Sequence, residues 1–196
     1  MQERLRTAAE RTPTGLLLAQ ELFWLLLGWA GGMLSGHRLS PATWGPPDAR
    51  AAAGAAAGLL LGRLDLELSR RLPACADTLT PLLFRRFGPA GALAFTAFAA
   101  LAEETLFRGW LEAWLGPLAA TLLFVVAHVQ YLRRPPALLA VALYGSLLAA
   151  LRTWSGGLLA PWLAHWGIDA VQALAVVFDR YPGLPPRGGA GSAIPR

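Results

Sequence analysis

The sequence predicts an all-α protein, a polytopic bundle of membrane-spanning helices. Of its 196 residues, 55% are hydrophobic and 15% are charged, and the mean hydropathy is +0.45. Soluble domains carry about a quarter charged residues, so this composition favours the lipid bilayer as the surrounding solvent. The apolar residues also fall in long runs separated by short charged clusters, as expected for several spanning helices. A large soluble catalytic domain is therefore excluded.

About six spans are predicted, and three of them are short. The predicted spans cover residues 14–34, 51–62, 89–115, 118–132, 137–151 and 157–178. The second is rich in Ala and Gly, which suits close helix packing, and the fourth and fifth fall below the roughly 20 residues that a perpendicular span needs. Residues 63–87 are mixed in character, which predicts an amphipathic helix at the membrane interface. We expect residues 1–180 to form a single integral membrane domain, followed by a disordered Pro/Gly-rich tail at 181–196.

The basic residues indicate how the bundle is oriented. All 17 are arginine, and with six spans 13 of them fall on the side of the N-terminus, whereas Arg38, Arg50 and Arg152 fall on the other. This bias predicts that both termini are cytoplasmic. The arginine-only composition looks bacterial, so we expect the bacterial inner membrane as the location. The arginines flank apolar runs, so the expected partner is the lipid bilayer and not a nucleic acid. Cys75 is the only cysteine, which excludes an internal disulfide.

The ionisable residues inside the third predicted span include Glu103, Glu104 and Arg108. Burying such groups in hydrocarbon costs several kcal/mol each, and more when they are unpaired. Glu104 and Arg108 are four residues apart, so they share a helical face and can form an ion pair. An ion pair that joins helices would explain these two residues. It would not explain Glu103, which points about 100° away and must face a cavity or a polar group of another helix.

Two further predicted spans carry histidine. His128 lies in the fourth span, and His165 lies in the sixth, four residues before Asp169. Taken singly, each is explained by an interhelical hydrogen bond or by an Asp that orients its neighbouring His. At 1.5 Å of rise per residue, however, Glu103, His128 and His165 lie about 20, 16 and 12 Å from the outer ends of their spans. Given the uncertainty of span boundaries, all three can share one layer near the middle of the bilayer.

A carboxylate and two imidazoles at one depth suit the activation of water. Glu103 would take a proton from water as a general base, and His128 would orient that water or protonate a leaving amine. His165 would polarise a carbonyl group, with Asp169 fixing the tautomer of its ring. An alternative uses Glu103, His128 and His165 as zinc ligands with one open position. No His-Glu-x-x-His run is present, so we expect no cofactor, with zinc as the alternative.

These residues form three short motifs that resemble those of a known family. The motifs are Glu103-Glu104-x-x-x-Arg108, Phe124-x-x-x-His128 and His165-x-x-x-Asp169. In this order they resemble the motifs of the CAAX prenyl endopeptidase and bacteriocin-processing (CPBP) family of intramembrane proteases. The segment from Gly157 to His165 is also similar to that family. The resemblance covers about residues 95–177 and rests on three ordered motifs on separate apolar helices.

The resemblance implies an all-helical membrane enzyme that hydrolyses peptide bonds through a water activated by glutamate. By position, Glu103 is the implied base and His128 its partner. His165 and residue 169 are the implied oxyanion-side pair, while Glu104, Arg108 and Phe124 occupy supporting positions. Asp169 departs from the Asn that eukaryotic-type members usually carry. Because an Asp donates a hydrogen bond only when protonated, this departure favours a role of Asp169 on His165.

The expected activity is therefore that of an intramembrane endopeptidase acting on a membrane-associated peptide or protein. Two other classes use the same residues. A non-catalytic immunity or scaffold protein of this fold would keep the helices, although replacing buried charges by apolar groups would stabilise it. A small ion or proton transporter would use Glu103 and the histidines as a relay. It would need polar residues continuing to both membrane faces, and the fifth span offers only Tyr144 and Ser146.

Overall fold

The computed structural model describes residues 13–72, 84–131 and 134–184, and these residues form helices and no strands. The predicted all-α class is thereby confirmed for this part of the chain. Cys75, the arginines that precede residue 13, and residues 185–196 of the predicted tail lie outside the described residues.

Seven helices occupy the described residues. They are α1 (Thr14–Leu34), α2 (Pro41–Trp44), α3 (Ala49–Arg71), α4 (Pro89–Leu115), α5 (Pro117–Ala127), α6 (Pro135–Ser155) and α7 (Leu159–Val177). Among them, α1, α4 and α6 are long and apolar enough to cross a membrane. Their outward faces carry large apolar side chains such as Leu16, Trp114 and Leu139, each more than half exposed. Such faces suit acyl chains and not water, as expected for an integral membrane protein.

Three helices differ in length from the predicted spans. α3 is one helix of 23 residues whose N-terminus is capped by Asp48, and it continues through residues 63–71. Residues 63–71 therefore continue the second predicted span as one helix. Residues 73–83 of the predicted interfacial segment lie outside the described residues, and its position at the membrane interface stays a prediction. α6 has 21 residues instead of the 15 predicted, because it begins with Pro135 in its first turn and ends only at Gly156, which has a left-handed conformation. α5 has 11 residues and ends before His128, earlier than predicted.

A stripe of glycine on α3 allows this helix to lie directly against α7. The stripe repeats every four residues and faces the backbone of α7, with Gly54 opposite Ala160, Gly58 opposite Ala164 and Gly62 opposite Ile168. A Cβ atom at any of these glycines would collide with that backbone. Small residues at this spacing are typical of closely packed membrane helices. The contact fixes α7, the helix that carries His165 and Asp169.

The helix α4 changes its winding in the middle. It is α-helical from Pro89 to Glu104, π-helical from Thr105 to Leu111, and α-helical again to Leu115. π-Helical turns are rare and often lie at functional sites. The helix α1 packs against this wide segment, where Gly28 contacts the backbone at Leu106. The sequence predicted the bounds of the span but not the change of winding inside it.

The predicted inner end of the bundle holds a separate apolar core. Tyr181 is buried there against Phe84, Leu66 and Val176. Arg85 and Asp179 form an ion pair nearby, with 3.5 Å between their side-chain atoms. The packed part of the chain therefore extends beyond residue 180, where the sequence placed the start of the tail.

The glycine stripe can be tested with a pair of leucine substitutions on α3. Gly58→Leu would force α3 away from α7, because the new side chain has no space beside the backbone of Ala164. We expect the melting temperature of the detergent-purified protein to fall by several degrees, up to about 12 °C, since overpacking a tight interface costs about 1–3 kcal/mol. Ala56→Leu, on the exposed face of the same helix, is the control and should melt within a few degrees of the wild type. Equal melting of both variants would contradict the proposed packing.

Candidate active site

Helices α4, α5 and α7 bring the three motifs to one place in the bundle. Glu103 and Glu104 end the first α-helical part of α4, and Arg108 lies in its π-helical part. Phe124 lies near the end of α5, and His165 and Asp169 lie one turn apart on α7. Their side chains meet through the contacts described below.

The predicted ion pair between Glu104 and Arg108 is present and fully buried. Arg108 Nη1 lies 3.2 Å from Glu104 Oε1, and the two side chains are 1% and 0% exposed. Arg108 Nη2 also donates a hydrogen bond to the Gly145 carbonyl of α6, at 3.0 Å. Its guanidinium carbon lies 4.3 Å from the centre of the Phe124 ring, in cation–π geometry. The pair thus joins α4 to α5 and α6.

The same carboxylate holds His165. His165 Nδ1 lies 2.9 Å from Glu104 Oε1, so this one oxygen serves both Arg108 and the imidazole. The sequence predicted that Asp169 orients the ring. In the structure Glu104 does so at Nδ1, and Asp169 lies on the other side of the ring. The contact between Glu104 and His165 was missed because it joins residues 61 positions apart, which no helical spacing indicates.

Two further carboxylates lie at the other nitrogen of the same imidazole. His165 Nε2 is 3.9 Å from Glu103 Oε2 and 3.7 Å from Asp169 Oδ2. Both distances exceed a direct hydrogen bond and are short enough for a single small molecule to bridge them. Glu103 Oε2 is buried and has no hydrogen-bond partner among the described residues. Glu103 therefore faces a polar group of another helix, as predicted.

Phe124 is the packing centre of the site. Its ring is 3% exposed and lies edge-on to Phe107, with 5.1 Å between ring centres. It also lies 4.5 Å from the ring of His128 and 6.0 Å from that of His165. A side chain of this size and shape sets the spacing between Arg108 and both imidazoles. This accounts physically for the position of Phe124 in the second motif.

His128 lies at the end of α5 and not within it. The helix ends at Ala127, and His128 is its C-cap residue, followed by a short 3-10 turn at Val129–Tyr131. Its Nδ1 lies 2.8 Å from the Phe124 carbonyl oxygen. Because a carbonyl only accepts hydrogen bonds, Nδ1 donates and Nε2 remains available to other groups. The prediction of a span reaching residue 132 is wrong, since this hydrogen bond ends the helix.

A fourth carboxylate, Glu21, lies beside these groups and was not among the predicted site residues. It is buried in α1, at 7% exposure, and its Oε2 has no hydrogen-bond partner among the described residues. The charges of Glu103, Asp169 and His165 act on it. An acidic residue inside an apolar span indicates function by default, and this rule could have identified it.

A polar cluster lies next to the site on α3, α6 and α7. Asp65 accepts a hydrogen bond of 2.9 Å from the Tyr144 hydroxyl and another of 2.7 Å from the Gln172 amide. Gln172 also donates to the Gly62 carbonyl, at 3.1 Å. Both oxygens of Asp65 are thus satisfied, which is typical of a cluster that joins helices.

Part of this chain has recognisable relatives. Residues 85–171 match the family of type II CAAX prenyl endopeptidases, Rce1-like. The matched segment contains Glu103, His128, His165 and Asp169, and the family resemblance inferred from the motifs is confirmed over it. It includes α4 to α6 and most of α7, whereas α1, α2 and α3 lie outside it.

Two curated relatives cover a similar share of the chain. The uncharacterized protein YpbD of Bacillus subtilis (strain 168) is 38% identical over 84 residues, which are 43% of this chain and 44% of that protein. An uncharacterized 24.3 kDa protein of Escherichia coli is 44% identical over 78 residues, which are 34% of this chain and 35% of that protein. The chain thus matches less than half the length of either relative. No solved structure matches the chain.

The shared carboxylate of Glu104 can be tested by its removal. Glu104→Ala would leave the buried Arg108 guanidinium without its anion and His165 Nδ1 without its acceptor. We expect the free energy of unfolding to fall by about 3–5 kcal/mol, measured by denaturant or thermal unfolding in detergent. The control is Glu67→Ala, which removes an exposed carboxylate paired with Arg71 on α3. It should change stability very little, because exposed ion pairs contribute little. If Glu104→Ala were as stable as the wild type, Glu104 would not be the buried partner shared by Arg108 and His165.

Proposed function

We propose that the protein is an intramembrane endopeptidase that hydrolyses a peptide bond of a membrane-associated peptide or protein. One observation carries the proposal. Glu103 Oε2 is buried, has no hydrogen-bond partner among the described residues, and lies 3.9 Å from an imidazole nitrogen whose ring is held by a buried ion pair. This is the arrangement expected of a general base beside an oxyanion-side group. The match of residues 85–171 to a protease family supports it.

In the proposed reaction, a water molecule binds between Glu103 Oε2 and the substrate carbonyl. Glu103 takes a proton from the water as the water oxygen bonds to the carbonyl carbon, and the carbonyl electron pair moves to its oxygen. His165 Nε2, when protonated, donates a hydrogen bond to this oxyanion. The oxyanion then re-forms the carbonyl, the C–N bond breaks, and the leaving nitrogen takes the proton held by Glu103.

The remaining site residues support these steps. Glu104 and Arg108 hold the His165 ring in position through Nδ1. Asp169, at 3.7 Å from Nε2, favours the protonated ring by its charge. His128 can relay the proton held by Glu103 to the leaving nitrogen, because its Nδ1 donates to the Phe124 carbonyl and its unprotonated Nε2 can accept that proton and release it. These roles are part of the proposal.

We further propose the membrane topology in which six helical segments, all but α2, cross or enter the membrane. Both termini are then cytoplasmic, in a bacterial inner membrane. The domain comprises residues 1–180 together with the packed Tyr181, followed by the tail. The arginine distribution supports this orientation, with 13 arginines on the inner side.

A zinc-dependent version of the same protease would use Glu103, His128 and His165. The engagement of His165 Nδ1 by a carboxylate and of His128 Nδ1 by a carbonyl is the outer support that metal-binding histidines usually have. Among the described residues, no group of three His, Cys, Asp or Glu side chains is placed to hold a metal ion. We therefore propose the glutamate route without a metal, and the use of a chelator distinguishes the two.

The proposal is tested with purified wild type and Glu103→Gln, incubated with membrane-anchored peptides in liposomes. Removing the general base should lower the cleavage rate by about 10²–10⁴-fold, without changing the melting temperature, since Gln has the same shape as Glu. Glu67→Gln, on the exposed part of α3, is the control and should cleave at the wild-type rate. Cleavage by the wild type should also survive a zinc chelator.

Three results would change this assignment. Equal cleavage by the wild type and Glu103→Gln would remove Glu103 from the mechanism. Loss of wild-type cleavage in the chelator, restored by zinc, would favour the metal version. Absence of cleavage across a wide set of membrane peptides would favour the non-catalytic immunity or scaffold protein.

A further inference from the structure

Helix α1 turns one carboxylate towards the site and apolar side chains outwards. The buried residues of α1 are Glu21, Gly28, Gly31 and Gly32. Glu21 and Gly28 are seven residues apart, two turns on one face. By contrast, Phe23 and Leu26 are more than half exposed. In a membrane helix this orientation is expected, because a carboxylate is costly in lipid, and it directs Glu21 towards the interior of the bundle.

The face of α1 that carries Glu21 packs against the catalytic region. Gly28 touches the backbone at Leu106, and Gly31 touches the ring of Trp110, both in the π-helical part of α4. Trp24, one turn from Glu21, packs against the apolar cluster that contains Phe124. Glu21 is thereby held at the wall of the site.

The carboxylate of Glu21 has no cation of its own among the described residues. Its Oε1 accepts one long hydrogen bond from Gln20, at 3.4 Å, and its Oε2 has none. Arg108 is already engaged by Glu104 and by the Gly145 carbonyl. The site thus carries more carboxylates than cations.

A role in packing alone does not account for Glu21. A carboxylate that joined helices would accept a hydrogen bond from another helix, as Asp65 does from Tyr144 and Gln172. A buried acid without such a donor destabilises the fold and is explained by a ligand. The segment that carries it lies outside the matched region 85–171.

We infer that Glu21 binds a basic side chain, Lys or Arg, of the substrate peptide next to the bond that is cleaved. This inference rests on the proposed protease function and adds the chemical class of its substrate. The ammonium or guanidinium group would supply the cation that Glu21 lacks and would offset the excess of carboxylates around His165. Glu21 is then a specificity-determining residue, contributed by α1 to a site built by α4, α5 and α7.

The test measures binding, so that it does not depend on catalysis. In the Glu103→Gln background, a fluorescent membrane peptide with a single Lys moved along its sequence is compared with the same peptides carrying norleucine. We expect Lys to tighten binding at least about tenfold at one or two adjacent positions, as a buried charge-assisted hydrogen bond would. Adding Glu21→Gln should abolish this advantage and leave norleucine peptides within twofold.

Glu112→Gln is the matched control. Glu112 is also a partly buried carboxylate with an unpartnered Oε2, but the cations that act on it are Arg108 and Arg152. This variant should keep the advantage of Lys. Melting temperatures of all variants show that they are folded, and Glu21→Asp serves as a second variant, expected to keep part of the advantage.

Some outcomes would overturn the inference while leaving the protease function intact. These are no advantage of Lys at any position, or an advantage that survives Glu21→Gln. An equal loss of affinity for Lys and norleucine peptides would also overturn it, because it would assign Glu21 to the shape of the site. Conversely, a Lys advantage that depends on Glu21, in a wild-type protein that cleaves none of the peptides, would overturn the protease function and keep the binding site.

Discussion

One carboxylate oxygen holds the site together. Glu104 Oε1 contacts Arg108 at 3.2 Å and His165 at 2.9 Å, and both the carboxylate and the guanidinium are fully buried. Moving Glu104 away would leave the buried Arg108 charge without its partner, which would be strongly destabilising. Because the same oxygen also contacts His165, α4 and α7 are fixed relative to each other at this point. The position of the His165 ring, and therefore its distance to Glu103, follows from this contact.

The outer surface and the interior of the bundle are packed in different ways. Towards the proposed lipid side, helices present large apolar side chains that need no specific partner. Inside, glycine and alanine bring backbones together, and polar side chains form hydrogen-bonded clusters such as Asp65 with Tyr144 and Gln172. In lipid the hydrophobic effect does not drive helices together, so the free energy of association must come from close packing and hydrogen bonds. The polar residues of the chain therefore mark its interior.

Much of this could be read from the sequence, and the rest depended on contacts between distant residues. The bounds of α1 follow from a single apolar run beginning after Pro13, and the pair Glu104–Arg108 follows from its spacing of four. The end of α5 was mispredicted because the sequence around His128 suits a helix as well as a helix end. The hydrogen bond between the His128 ring and the Phe124 carbonyl, which the sequence does not reveal, accompanies the end of the helix. The link of Glu104 to His165 joins helices whose relative position no local pattern gives.

The contact of α3 with α7 also limits how anything large reaches the middle of the bundle. Because the backbones of α3 and α7 are in contact at Gly54, Gly58 and Gly62, there is no gap between these helices through which another chain could pass. Parting them would lose the close packing along this stripe, and close packing is what holds helices together in lipid. In the proposed protease, a substrate that enters from the side would therefore pass between other helices, and this direction would be set by glycines remote from the site.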